Sequence, residues 1–292
     1  GTIKRYQATI HLRADANPIA YGARRIPFAM KKPVENELRR LQAEGVLEKV
    51  DPGITPIEWA TPTVNVDKGN GIARICGDFR VTINPNMIPD QHPIPSFEEL
   101  TAKIAKGQEF SVIDLKDAYL QMEVAEQCRK YLVIATHLGY YRYKRLPFGI
   151  SASPAIFQRY IDGLLQGIEE TGAFMDDIIV TGPTRKKHLE NLRKVFECLQ
   201  NAGIRTRLSK CRFLEKSVKY LGYQIDRNGI HPCEEKVEAI KKTPTPKNVK
   251  ELRAFLGAVN FHERFIPNLH GICADLYQLT GKRVPWKWTS KH

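Results

Sequence analysis

The sequence has no run of 18 or more apolar residues, which excludes a membrane-spanning helix of ordinary length. Its first residues, Gly1-Thr2-Ile3-Lys4-Arg5, hold no apolar signal core. No two of its six cysteines form a C-x-x-C pair, and none stands at a Cys/His zinc spacing, so a zinc-finger module and a thioredoxin-like redox motif are both excluded. Reduced, structural cysteines in an intracellular protein are expected. Internal repeats and a low-complexity basic tail are absent as well. Acid is scarce relative to base: 32 Asp and Glu stand against 45 Lys and Arg, a net charge of +13. That surplus is spread along the chain, so a basic surface built into the fold is expected, with a polyanion as its partner. The last residues, Trp286 to His292, close without a capping element. The chain is expected to be a piece of a longer polypeptide.

What is there centres on Ala173 to Gly182, where Phe174-Met175-Asp176-Asp177 is followed by Ile178-Ile179-Val180. β-Branched and aromatic residues on both sides predict strands, and the two acids stand where a hairpin turns. An Asp-Asp pair alone is more often a solvated turn, but apolar walls make two adjacent charges costly unless something binds them. A divalent cation is the simplest candidate, since Mg²⁺ takes one or two carboxylates together with substrate phosphates. A second stretch, Phe110-Ser111-Val112-Ile113-Asp114-Leu115, reads as an apolar strand interrupted by one acid. If the two strands are neighbours about 4.8 Å apart, Asp114 and Asp176 can share two metal ions about 3.5–4 Å apart, the arrangement that serves phosphoryl transfer. Side chains alternate along a strand, so Asp176 is ranked with Asp114 as a metal holder and Asp177 as the lesser contributor.

Around these stretches the patterns predict a helix over Pro33 to Glu48 with Val34, Leu38, Leu41 and Val46 inward. Thr63–Val66 and Ile72–Cys76 read as a hairpin about Asp67-Lys68-Gly69-Asn70-Gly71, with Lys68 at its turn and Arg74 returning. Ser96-Phe97-Glu98-Glu99 resembles a capping box. A hairpin over 131–143, a helix over Ser151 to Ile168, and a helix over His188 to Asn201 with Leu189, Leu192, Val195, Phe196 and Leu199 inward are also expected. Cys211–Leu214 and Val218–Ile225 read as one further hairpin. Helices follow over Glu234–Lys241 and from Asn248, the latter with Leu252, Phe255, Leu256 and Val259 buried and with Lys250 and Arg253 off that face.

Several of these segments together resemble the reverse transcriptase of long-terminal-repeat retroelements, most closely the Gypsy type. The matching motifs are Gly77-Asp78-Phe79-Arg80, Ile113 to Tyr119, Leu146-Pro147-Phe148-Gly149, Ser153 to Gln158, Phe174 to Asp177, Tyr220-Leu221-Gly222-Tyr223 and Lys250 to Gly257. They occur in the family's order and span about residues 30 to 285.

The resemblance implies an α+β right-hand polymerase: fingers over 1–89 and 122–152, a palm of antiparallel sheet and helices over 90–121 and 153–229, and a helical thumb with the start of a connection over 230–292. It implies an RNA-directed DNA polymerase that extends a primer on RNA or DNA by two-metal nucleotidyl transfer. Asp114, Asp176 and Asp177 carry over as catalytic and metal-binding carboxylates for two Mg²⁺, with Mn²⁺ as a substitute. Lys68, Arg74, Asp117, Ala118, Tyr119 and Phe148 carry over to the dNTP, with Tyr119 excluding a 2′-hydroxyl. Leu221, Gly222 and Tyr223 carry over as a primer grip, and Arg80, Lys250 and Arg253 as template–primer contacts.

Implied partners are the template–primer, dNTPs, and the RNase H and integrase segments of a parent polyprotein, with homodimerisation compatible and no membrane. RNase H activity is not expected from this chain. The implied location is the cytoplasm, within virus-like particles, or the nucleus. Two positions depart from the retroviral pattern: Phe174 stands where Tyr is usual, and Phe148, common in Gypsy-type elements, stands where Gln is usual. The loop at Lys68 is one residue shorter than the family's. A non-catalytic, domesticated nucleic-acid-binding module is the competing reading, resting on the charge alone.

Overall fold

The computed structural model describes residues 1–292. They divide into two compact units, Gly1–Glu215 and Lys216–His292. None of the helices is long and apolar enough to cross a membrane, and all six cysteines are free thiols.

In the first unit the predicted hairpin is present as strands Thr61–Asp67 and Ala73–Gly77. Its loop is closed by the Lys68 N–H donating to the Ile72 carbonyl at 2.9 Å. These strands edge a five-stranded sheet that continues through Val133–Thr136, Gly139–Tyr143 and Leu47–Val50. Thr61–Asp67 runs parallel to Val133–Thr136, and the other neighbours are antiparallel. The helix beside this sheet runs Phe28–Ala43 and buries Val34, Leu38 and Leu41. It therefore starts before Pro33 and stops before Glu48. Pro33 is accommodated inside it at the loss of one backbone hydrogen bond, and Gly45, at φ +68°, terminates it in the left-handed conformation. That stop releases Leu47–Val50 as a strand, which the helical spacing of Val46 had concealed.

The second sheet of this unit carries the acids. Its four strands lie in the order Arg212–Glu215, Glu109–Asp114, Asp177–Gly182, Thr171–Phe174, all antiparallel. Ile113, Ile178, Ile179 and Val180 have no exposed surface. Each such side chain contributes about 1.5–3 kcal/mol of burial, which fixes the register of the two central strands against slippage. The helices Phe97–Ile104, Ser153–Leu164 and Arg185–Ala202 pack against this sheet. The first begins with the expected capping box, Ser96 Oγ accepting from the Glu99 N–H and the Glu99 carboxylate from the Ser96 N–H.

The last helix turns its predicted face inward at Leu192, Val195, Phe196 and Leu199, and departs from it at Leu189. Leu189 is 46% exposed, whereas His188 and Asn191 are buried. These two polar groups are tolerated because His188 Nε2 lies 2.9 Å from Ser111 Oγ and Asn191 Nδ2 donates to the Thr181 carbonyl at 2.9 Å.

Arg212–Glu215 pairs with Glu109–Asp114 and so belongs to the acid-bearing sheet rather than to the hairpin predicted for it. The apolar run Val218–Ile225 instead folds on itself. Ser217–Tyr220 and Tyr223–Asp226 pair across a two-residue turn, Leu221 at φ +50° and Gly222 at φ +83°. With Gly229–Pro232 they form the three-stranded sheet of the second unit. That unit has its own core of Leu252, Leu256, Val259, Leu269, Cys273 and Leu279, built largely on the helix Val249–Asn260 capped by Asn248.

Replacing Ile113 by Ala is expected to cost about 2–5 kcal/mol, read as a lowered urea midpoint with unchanged slope. A loss well under 1 kcal/mol would show that the central strand pair is not the stabilising element inferred here.

Candidate active site

Asp114 is the last residue of its strand and lies directly opposite Asp177, the first residue of the neighbouring strand. Opposed residues in an antiparallel pair share a face, with Cβ atoms about 4.5–5.5 Å apart. The two carboxylates therefore stand side by side on one face, against Val112 and Ile179 from the same face. The backbone continues the lock past the strand ends: the Leu115 N–H donates to the Asp176 carbonyl and the Arg207 N–H to the Asp114 carbonyl, both at 2.8 Å.

The turn itself is Met175-Asp176, since Phe174 pairs with Asp177. The acids thus do not share the tip, as the sequence pattern had them: Asp176 is in the turn and exposed, while Asp177 has entered the strand and is half-buried. Met175 adopts φ +54°, a left-handed conformation that costs a non-glycine residue about 1–3 kcal/mol. Its N–H donates to Gln158 Oε1 at 2.8 Å.

Within this cluster it is Asp114 that the protein leaves without a close counter-charge. Asp114 Oδ1 is buried with no hydrogen-bond partner. The nearest cations stand off, Lys210 Nζ 3.8 Å from Oδ2 and Arg207 Nε 4.0 Å from Oδ1, while Arg207 Nη2 makes its short contact, 3.0 Å, to Asp117. The Asp177 carboxyl is pushed up to about 6, first by burial, then by the Asp176 and Asp114 charges, with Lys210 pulling the other way.

The carboxylates do not close into a preformed three-ligand cage. An open pair with an orphaned buried oxygen and mutual repulsion is what a Mg²⁺ ion completed by substrate phosphates requires, so these residues fit a divalent cation. Arg207 and Lys210 were not singled out in the sequence. Two basic residues in an irregular segment carry no spacing signal.

Beside the acids, the Tyr119 ring packs 5.2 Å from Phe148 and 5.4 Å from Phe157. Its phenol is pushed up to about 12, chiefly by burial and then by the Asp176 charge. The Arg74 guanidinium lies 5.6 Å over the Phe148 ring. Arg74, Phe148, Tyr119 and Phe157 therefore form one continuous wall. Lys68 and Arg74 both stand close enough to Cys76 to oppose the upward push of burial on its thiol.

Asp117 is left-handed, φ +49°, and opens the single turn Ala118–Gln121. The leading amides of such a turn lack intrahelical acceptors. Arg80 Nε donates to the buried Asp78 at 2.8 Å, and Arg24, not foreseen from the sequence, donates to its other oxygen at 2.9 Å. Both arginines hold the Asp78 carboxyl below its ordinary value.

The second unit holds the remaining candidates. Tyr223 stacks on Phe261 at 4.8 Å and 12°, and its hydroxyl donates to the Phe261 carbonyl at 3.0 Å. Gly222 is required at its turn both by φ and by space, because a Cβ there would run into the Lys236 ammonium and the Phe261 ring. Lys250 and Arg253 are exposed as expected, but Arg253 Nη2 donates to the Thr280 carbonyl at 2.8 Å.

Residues 67–225 match the family model described as reverse transcriptase (RNA-dependent DNA polymerase). The chain is 33% identical over 253 residues to the retrovirus-related Pol polyprotein from transposon 297 of Drosophila melanogaster, covering 86% of this chain and 24% of that protein. In structure it is similar to the foamy viral protease–reverse transcriptase dRH in complex with double-stranded DNA, with a TM-score of 0.88 and 27% identity over 100% of this chain and 51% of that one. The foamy viral protease–reverse transcriptase in complex with an RNA/DNA hybrid matches with a TM-score of 0.87 and 26% identity, over 100% of this chain and 39% of that one. The chain spans between 17% and 24% of the length of the curated relatives it matches.

Because the Asp177 carboxyl holds its proton more tightly folded than unfolded, its contribution to stability falls as pH rises from 3.8 towards 6 and is unfavourable above. Asp177→Asn should therefore raise the melting temperature in EDTA at pH 7.5 by about 2–4 °C, or about 1 kcal/mol after solvent screening. The gain should shrink below about pH 5. Calorimetry finding no gain at pH 7.5 would contradict the repulsion.

Proposed function

The chain belongs to the reverse transcriptase (RNA-dependent DNA polymerase) family, and from that membership we propose that it is the polymerase segment of a Gypsy-type retrotransposon polyprotein. The observation that carries the reading is the opposed pair Asp114 and Asp177, with Asp176 at the adjoining turn. The substrates proposed are a primer on an RNA or DNA template and an incoming dNTP. The primer 3′-hydroxyl oxygen bonds to the α-phosphorus, the bond to the β-phosphate oxygen breaks, pyrophosphate leaves, and the hydroxyl proton is lost to solvent. Divalent ions held by the carboxylates of Asp114, Asp176 and Asp177 would supply charge stabilisation at the attacking and leaving oxygens.

The chain's own groups do the positioning. Arg74 and Lys68 offer cations, and the Asp117 and Ala118 amides offer N–H groups, to the triphosphate. Tyr119, fixed between Phe148 and Phe157, offers a rigid face beneath the sugar, where a 2′-hydroxyl would meet the ring. Arg80, held by Asp78, keeps its outer guanidinium edge towards the solvent for a template phosphate. Within the second unit the Leu221-Gly222-Tyr223 turn is proposed as the primer grip, and Lys250 and Arg253 as backbone contacts.

Fingers, palm and thumb are assigned to 1–89 with 122–152, 90–121 with 153–229, and 230–292. Within the parent polyprotein the chain is proposed to work beside RNase H and integrase segments, in cytoplasmic virus-like particles.

Primer extension on poly-rA/oligo-dT with Mg²⁺ tests the chemistry. Asp176→Asn and Asp177→Asn should each lower incorporation by at least about 100-fold. Incorporation equal to the parent chain would defeat the assignment, and salt-sensitive template binding without extension in the parent chain would favour a binding module. Tyr119→Ala should raise ribonucleotide incorporation relative to dNTP, and unchanged discrimination would reject the steric gate.

A further inference from the structure

The turn that bears Asp176 is strained and lies on an edge strand. Thr171–Phe174 has a partner on one side only, so its outward backbone groups need another source of hydrogen bonds. Gln158, on the helix Ser153–Leu164 and without exposed surface, provides it. Its Oε1 accepts from the Met175 N–H at 2.8 Å and its Nε2 donates to the Ala173 carbonyl at 2.9 Å. The orientation of the amide is unambiguous, because an N–H can only donate and a carbonyl can only accept. One side-chain amide thus does the work of a missing neighbouring strand and brackets Phe174 from both sides. Nε2 also donates to Asp162 Oδ1 at 2.9 Å, and Asp162 Oδ2 lies 2.8 Å from His92 Nε2. Asp162 and His92 line a cavity of about 960 Å³ behind the sheet.

We propose that Gln158 is a positioning residue: its amide holds Met175 in the left-handed conformation and so sets where the Asp176 and Asp177 carboxylates stand, with Asp162 and His92 as its outer support. The consequence for catalysis rests on the acidic hairpin being the catalytic one. The clamp itself does not.

The test is Gln158→Met, which keeps length and loses all three hydrogen bonds. Amide hydrogen exchange, without template, nucleotide or metal, should show the Met175 N–H exchanging at least about ten-fold faster while Ile178 to Val180 stay protected. In primer extension kcat should fall at least about ten-fold with the template–primer Kd unchanged. Glycine adopts φ > 0 freely, so adding Met175→Gly should recover much of the lost kcat. Unchanged exchange at Met175, or an equal penalty with Met175→Gly present, overturns the proposal. If Gln158→Met alone does not fold, folding restored by Met175→Gly supports it and equal failure of the pair contradicts it. The exchange measurement decides the clamp even if the parent chain does not polymerise, so the two readings fail separately.

Discussion

One register decides the rest of this molecule: Asp114 paired across from Asp177 at the end of the two central strands of an antiparallel sheet. Like charges opposed on neighbouring strands are unfavourable, and here they are also partly desolvated. The sheet can impose this only because the residues behind the acids are wholly buried isoleucine and valine, whose burial outweighs the repulsion and leaves no alternative register. The acids are thus placed by apolar packing rather than by their own interactions, and their unfavourable charge is what the proposed cation would offset.

The surrounding elements serve that arrangement in different ways. Arg207 and Lys210 stand at the distance of weak ion pairs from Asp114. They soften the repulsion without filling the coordination sites. Tyr119 is held by Phe148 and Phe157, and Arg74 by the same Phe148 ring, so the groups of the wall proposed for the nucleotide already touch one another. Met175 stores strain at the turn, and Gln158 meets the backbone groups that the edge of the sheet leaves unpaired.

Much of the sheet that bears the acids was legible in the sequence, because its signals are local. Phe110 to Asp114 and Ile178 to Val180 are dense in strand formers, and Ser96 announces its helix by a capping box. The turn was misplaced by one residue because the pattern favours Asp over Met in a hairpin loop. Only a tertiary contact from Gln158, remote in sequence, stabilises Met175 there. Leu189 misled for a similar reason. Helical spacing makes it a core residue, but the sheet offers polar partners to His188 and Asn191 instead. Val218–Ile225 read as one strand because nothing in its hydrophobicity marks Leu221 as left-handed. Arg24, Arg207 and Lys210 escaped notice because a cation's role depends on what it faces.

The opposed carboxylates are proposed as a cation site completed by substrate phosphates. Crystals of the chain with template–primer, dNTP and Mn²⁺, recorded at the manganese absorption edge, test it most directly. Anomalous density is expected within about 2.0–2.4 Å of carboxylate oxygens of both Asp114 and the Asp176–Asp177 pair. Manganese bound only elsewhere, with these carboxylates paired to Arg207 and Lys210, would contradict it.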